Sequence, residues 1–459
     1  MSSSNITREH IAVNRFGYGA KKDELSNAKA DPQKWIKSQL LPISFDNSQP
    51  SSHDVFIAHE QYIQQKKQAR EQSKNQNKAK EKKSSQSENK MINNSPRKAL
   101  HSMSVDTLEQ AIQSSHSVSW RLLDFFSNHF SLTANGRLMA GLAATLEREA
   151  IAPNLLGNFE DMLLAVEQHP AMLIYLNNEK SYGPNSRIAK KRKVGLNENL
   201  AREIMELHTL GVNGGYTQAD VIELAKGITG WSVKNGKKEY GTGFIFRATG
   251  HEPGTRTLLG KKYSQKDITQ GQQMLRDLAI HPVTAKYVCF KIAHHFVSET
   301  PSVALLSKME ETWLNTGGNI KQVMISLFDA EEAWQPSAQK YKTPREFVIS
   351  TFRALGTKTS NNKSLLNWLT NLGQQPFNAG SPAGYSDNKD DWLGASALMA
   401  RVDWSMMMSG YRKKLNTEKI MTTALGESVS QHTYQTVMRA ESRQQALTLL
   451  LMSPEFQRR

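Results

Sequence analysis

One cysteine, Cys289, is all that this sequence offers to disulfide or thiolate chemistry. An intrachain disulfide is therefore excluded, and so are Cys-rich zinc and iron–sulfur sites. No apolar run approaches the roughly 20 residues that a spanning helix needs, so no membrane span is expected. The opening residues, Met1 to His10, lack the apolar stretch of a secretory signal. The sequence thus predicts a chain that is cytoplasmic as encoded, or exported with a signal-bearing partner. Hydrophobic residues make up 38%, which is lean for a globular chain but enough over 459 residues to bury a large core. Familiar catalytic templates are missing too. There is no GxGxxG after a strand, no Walker A loop, no HExxH, no GxSxG and no CxxC. The cofactor therefore stays unknown, and no specific nucleic-acid module is present.

What the sequence has in excess is positive charge, +15 overall. A net charge of that size suggests a polyanion or an anionic membrane surface. Its location argues otherwise. Eleven Lys/Arg against three Glu fall between Lys66 and Lys98, and Lys190-Lys191-Arg192-Lys193 adds a second cluster, leaving the rest nearly balanced. The Gln/Lys/Ser/Asn tract has almost no apolar residues to offset its ordering entropy, so a linker or solvated helix is favoured over a polyanion-binding arm. The expected organisation is an N-terminal helical segment over 1–52 that packs on the core, the basic stretch over 53–100, and a main helical domain over 101–459.

Apolar periodicity predicts a mostly α chain, a single large helical domain with a small β-hairpin insertion near 240–260. Trp120, Leu123, Phe126 and Phe130 make one stripe of a buried helix. Asn158 to Leu176 reads as helix with a break at His169, before Pro170. A helix is expected from Glu198 to about Leu210, and Thr217 with Asp220 forms a capping box for the next one. Phe244–Phe246 and Thr257–Leu259 read as the two strands of the hairpin, with the Gly- and Pro-rich stretch from Thr249 to Gly254 as its loop.

Several stretches together resemble one family. The run Asn197-Glu198-Asn199-Leu200-Ala201-Arg202-Glu203-Ile204-Met205-Glu206-Leu207-His208-Thr209-Leu210-Gly211 leads into Gly214-Gly215-Tyr216-Thr217 and Thr229-Gly230-Trp231. It is similar to the signature of the bacterial family catalogued as domain of unknown function 1800. Asn128-His129-Phe130, His295-Phe296-Val297, Lys342 to Val348 and Gly373-Gln374-Gln375-Pro376-Phe377 add to the likeness. The resemblance implies a mostly helical fold. It also implies a partner, because genes of this family often neighbour those of a phosphatase/sulfatase-like protein. It implies no catalytic role for any residue.

Wound at 100° per residue, the Glu198–Leu210 helix places Glu198, Arg202, Glu206 and Thr209 within one arc, with Asn199 at its edge. Arg202 stands one turn from each of two carboxylates. Such a ladder is either a solvated salt-bridge row or the polar wall of a pocket where one carboxylate is free for acid–base work. Asn197 and Thr209 supply hydrogen-bonding groups that a plain solvated face does not need. The expected catalytic set is Glu198, Arg202, Glu206, His129 and His251, with Asn197, Asn199, Thr209 and Asn128 as binding residues. His208 falls on the apolar side and reads as a core histidine. No metal is assigned: Glu203-x-x-Glu206 looks like half of a di-iron motif, but the Glu-x-x-His that such sites need on two helices is missing. The function expected is a hydrolase or lyase acting on an anionic or sugar-rich polymer. The alternative is a non-enzymatic partner or co-exported companion of the phosphatase/sulfatase-like protein.

Overall fold

The computed structural model describes residues 6–75, 82–234, 243–337, 340–357, 362–411 and 416–459. The chain is mostly α-helical, with two small antiparallel two-stranded sheets among the described residues. One hydrophobic cluster runs from Ile11 through Phe126, Trp231 and Phe347 to Phe456, so the N-terminal and C-terminal segments share a core. No described helix is long and apolar enough to cross a membrane.

Local signals explain many of the boundaries. The aromatic stripe lies on the helix Ser117–His129, where Trp120, Leu123 and Phe126 are buried. The Asn158–Leu176 region divides into Phe159–Glu167 and Pro170–Tyr175, with His169 capping the second helix by accepting from the Ala171 amide. Proline at the first helical position lacks only an amide that the helix would leave unpaired. Thr217 and Asp220 close the expected capping box on Gln218–Gly227, a reciprocal pair of the kind worth about 1 kcal/mol. A second box, Thr343 with Glu346, opens the helix Pro344–Leu355. The basic tract lies partly outside the described residues: 76–81 entirely, and the side chains of 72–95. Its described backbone belongs to the helices Ser52–Asn75 and Lys82–Gln113, and residues 64–71 are exposed.

Two expectations need correction. The strands are where the sequence places them, but they do not pair with each other. β1 (Trp231–Val233) pairs with β2 (Phe244–Phe246), and β3 (Arg256–Leu258) pairs with β4 (Lys261–Tyr263). Two residues, Leu259 and Gly260, join β3 to β4, and both have positive φ, 48° and 78°. That is the requirement of a type I′ hairpin turn, whose twist matches the strands. The stretch from Thr249 to Gly254, read as the hairpin loop, joins β2 to β3 instead.

The second correction concerns winding. Asn199–Glu203 is α-helical, but Ile204–His208 is π-helical, closing i→i+5 bonds. The wider turn rotates everything after Glu203 relative to a 100° wheel. Thr209 is fully buried and donates its hydroxyl to the Ile204 carbonyl at 2.6 Å. It does not share the exposed arc of Glu198 and Arg202.

Candidate functional site

The residues expected to form one pocket stand in three separate places. Glu198 and Arg202 lie on the surface, 3.5 Å apart, and Gln218 bridges them: it accepts from Arg202 at 2.8 Å and donates to Glu198 at 2.6 Å. Glu206 makes no ion pair with Arg202; its charge is felt by Tyr216 and Tyr287. Asn197 caps locally, accepting from the Asn199 amide at 2.9 Å. Elsewhere, His251 is buried in the turn after β2, with Nδ1 2.9 Å from the Thr229 carbonyl. Its neighbour Glu252 accepts twice from Asn185.

His129 occupies the third place, a buried polar line. Glu167 and His208, both without solvent contact, meet at 2.8 Å. The His208 carbonyl lies 3.1 Å from Nε2 of His129, and Nδ1 of His129 lies 3.0 Å from the Lys291 ammonium. Burial drives the His129 pKa well below the usual imidazole range, helped by Lys291 and His208. The structure therefore gives His129 neither Arg202, Glu206 nor His251 as a neighbour.

A cleft forms elsewhere, where the Ser117–His129 helix meets Pro282–Phe296 and the start of Pro344–Leu355. It has about 70 Å³ of internal room, enough for several waters or one small group. Asp124, Asn128, His295, Arg345, Gln374 and Asp387 line it. His295 Nδ1 lies 2.9 Å from Asp387 Oδ1. Burial works against ionisation of Asp387, but His295, Lys340 and Arg459 hold its carboxyl well below the ordinary range. A carboxylate only accepts, so Nδ1 of His295 carries the proton and Nε2 bears the lone pair. Nε2 meets no hydrogen-bond partner. Burial lowers the His295 pKa, although Asp387 pulls the other way, so the ring is neutral near pH 7.

Asp124 also lines this cleft, 2.7 Å from Nε of Arg345. Burial pushes its pKa up to about 6, against the pull of Arg345. Two groups able to carry a proton, both pushed toward their neutral forms by burial, thus share one cleft, where acid–base chemistry can use them.

The surroundings fix the dyad from both sides. The His295 carbonyl accepts from Arg121 at 3.1 Å and from Arg459 at 2.8 Å. Those guanidiniums share the buried carboxylate of Glu346, at 3.1 and 2.9 Å. Asp387 follows a loop that Asn128 clamps, accepting from the Tyr385 amide at 2.7 Å and donating to its carbonyl at 2.8 Å. Asn128, expected to bind a ligand, works here as a positioning group. Gly384, at φ +81°, sits so near that a Cβ would fall 2.5 Å from the Asn128 carbonyl oxygen. Only glycine meets both demands.

A model of the family described as protein of unknown function (DUF1800) matches residues 11–458. The chain belongs to that family. No curated protein and no solved structure matches it. The geometry adds something to the DUF1800 likeness. Asn128-His129-Phe130, His295-Phe296-Val297, Lys342 to Val348 and Gly373 to Phe377 all contribute to the lining of this cleft. Sequence reasoning missed Asp124, His295, Arg345 and Asp387 as a set. The convergence of those quoted stretches was the signal that could have found His295 and Arg345, whereas Asp124 and Asp387 lie outside them. Among the described residues no group of three His, Cys, Asp or Glu could hold a metal ion.

Proposed function

We propose that this DUF1800 chain is an acid–base enzyme, a hydrolase or lyase, working at the cleft between Asp124 and Asp387. One observation carries the reading: His295, tied through Nδ1 to an ionised Asp387, lines the cleft that also holds Asp124, and its buried Nε2 has no hydrogen-bond partner. In this reading His295 removes a proton from water or from the substrate. Asp124, with a pKa of about 6, returns a proton to the departing group. Arg345 orients Asp124 and offers positive charge to an anion. The internal room suits one substituent of a larger molecule, in keeping with an anionic or sugar-rich polymer as substrate.

The test is a panel of chromogenic esters, glycosides, phosphates and sulfates together with acidic polysaccharides. His295→Ala and Asp387→Asn should each lower kcat/KM at least 100-fold with the fold intact by circular dichroism. Asp124→Asn should remove the limb of the pH profile near 6. Arg202→Ala and Glu206→Gln, from the surface ladder, should have small effects. Turnover that survives His295→Ala would overturn the assignment.

A second reading has an observation of its own. Met399 and Met406 on Ala395–Tyr411, with Tyr434 and Met438 on Gln431–Met438, are exposed. Methionine-rich surfaces suit adaptable protein contacts. They support the reading of a non-enzymatic companion of a phosphatase/sulfatase-like protein. Co-purification that is lost on Met399→Glu/Met406→Glu would favour it, and unchanged co-purification would count against this surface.

A further inference from the structure

Lys291 stands one turn before His295 on the helix Pro282–Phe296, and the residue is half-buried. Its Nζ lies 3.0 Å from Nδ1 of His129 and 5.5 Å from the centre of the Tyr287 ring. The role of His129 is settled by its other nitrogen. Nε2 faces the His208 carbonyl, which can only accept, so Nε2 carries the proton and Nδ1 presents a lone pair to Lys291. The lysine is therefore held by a neutral imidazole. Among the described residues no carboxylate forms an ion pair with it, and Asp387 is the one whose charge reaches it.

An amine in such a place is unusual. A surface lysine has water around its ammonium, and a structural buried lysine has a carboxylate. Lys291 has instead two rings, Tyr287 on its own helix and His129 on the facing one, and His129 is itself packed against Phe125, Phe126 and Phe130. Desolvation without a counter-charge disfavours the ammonium and leaves a nucleophilic free amine.

We propose that Lys291 is a second reactive centre of this protein, an amine held by His129 for reversible capture of an aldehyde or ketone as an imine. The Nζ lone pair forms a bond to the carbonyl carbon while the C=O π electrons move to oxygen. That oxygen takes up a proton as nitrogen loses one, giving a carbinolamine. A further proton then lets the hydroxyl leave as water, and the C=N bond forms as nitrogen gives up its last proton. Nothing is oxidised or reduced, and water reverses every step. His129 is a positioning residue here: it fixes one N–H of the amine and so the direction of the lone pair. The charged and titratable groups around Nζ are His129 and, behind it, His208, with Tyr287 on the same helix and Asp387 from the facing loop. Imine formation at Lys291 uses no proton transfer at His295, although Asp387 is felt by both groups.

The experiment uses the full chain, with glyoxylate as a small aldehyde probe and sodium cyanoborohydride to trap the imine. Peptide mass mapping then compares all lysines at several pH values. Lys291 should be carboxymethylated at least 10-fold faster than Lys190, Lys191 and Lys193. Its rate should rise through a midpoint near 8, where burial places its pKa, and not near the 10.5 of an ordinary lysine. Lys291→Arg should erase the fast-reacting peptide and leave the slow ones unchanged. A Lys291 rate no higher than that of the exposed lysines, or a midpoint near 10.5, would overturn the proposal. Because the wild-type map decides alone, a variant that fails to fold does not blunt the test.

Discussion

Glu346→Gln keeps the shape of the side chain at the hub of the site and removes its charge. The carboxylate is 3% exposed and lies 3.1 Å from Arg121 and 2.9 Å from Arg459. It also accepts from the Thr343 amide at 2.8 Å. Burial opposes ionisation there, yet Arg459 and Arg121 carry its pKa from the usual 4.5 down to about 2. At 1.36 kcal/mol per pKa unit, that fall corresponds to roughly 3 kcal/mol of stability at neutral pH. The variant also leaves two buried guanidiniums without their shared counter-charge, so the expected loss is about 3–5 kcal/mol at pH 7. A carboxyl whose pKa is depressed by folding contributes fully above its unfolded value, and the contribution fades as pH falls toward the folded one. The gap between wild type and variant should therefore be constant from pH 7 to about 5. By pH 3 it should have shrunk by about 2 kcal/mol. Urea unfolding at pH 7, 5 and 3 reads both quantities. A gap below about 1 kcal/mol at pH 7, or one that does not change down to pH 3, would refute the view that this carboxylate holds the hub together.

Arg202→Ala should cost less than about 1 kcal/mol in the same assay, since both members of its pair are substantially exposed and Gln218 still caps Glu198. A larger loss would mean that the ladder is a desolvated pocket wall after all. His208→Ala leaves the fully buried Glu167 without its partner and should cost about 3–5 kcal/mol, read from urea midpoints. Gly384→Ala should lower the melting temperature through a strained left-handed residue and a backbone collision, at about 1–3 kcal/mol. It should also reduce turnover more than its stability loss explains, because the Asp387 loop shifts.

Helix ends were legible in the sequence because their causes are local. Thr217 and Asp220 are three residues apart, and Pro170 acts on its immediate neighbour, so no knowledge of the fold is needed. The aromatic stripe of Trp120, Leu123 and Phe126 was legible for a similar reason, since burial follows directly from helical spacing. The candidate site obeys different rules. Asp124, His295, Arg345 and Asp387 come from four distant stretches, and what distinguishes His295 from His294 is a partner 92 residues away. Spacing within one helix favoured Glu198, Arg202 and Glu206, of which Glu198 and Arg202 satisfy each other at the surface with Gln218, and Glu206 stands outside that pair. The strand pairing failed for a smaller reason. A leucine ahead of Gly260 gives no hint that it adopts positive φ, so the turn joining β3 to β4 went unread.

The π-helical turn at Ile204–His208 has a consequence for sequence change. Such a turn holds one residue more than an α-helical turn covering the same rise, and so behaves as an insertion absorbed in place. Loss of a single codon between 204 and 208 would let the segment relax to ordinary winding without shortening the helix much. The side chains beyond it would keep their facing, so Thr209 would stay inside near Ile204 and the imidazole at 208 would stay beside Glu167. Removing the half-buried Leu207 would therefore disturb the later side chains less than removing a residue from Asn199–Glu203, where every one of them would swing by about 100°. In this helix the tolerance of a deletion depends on the turn in which it falls.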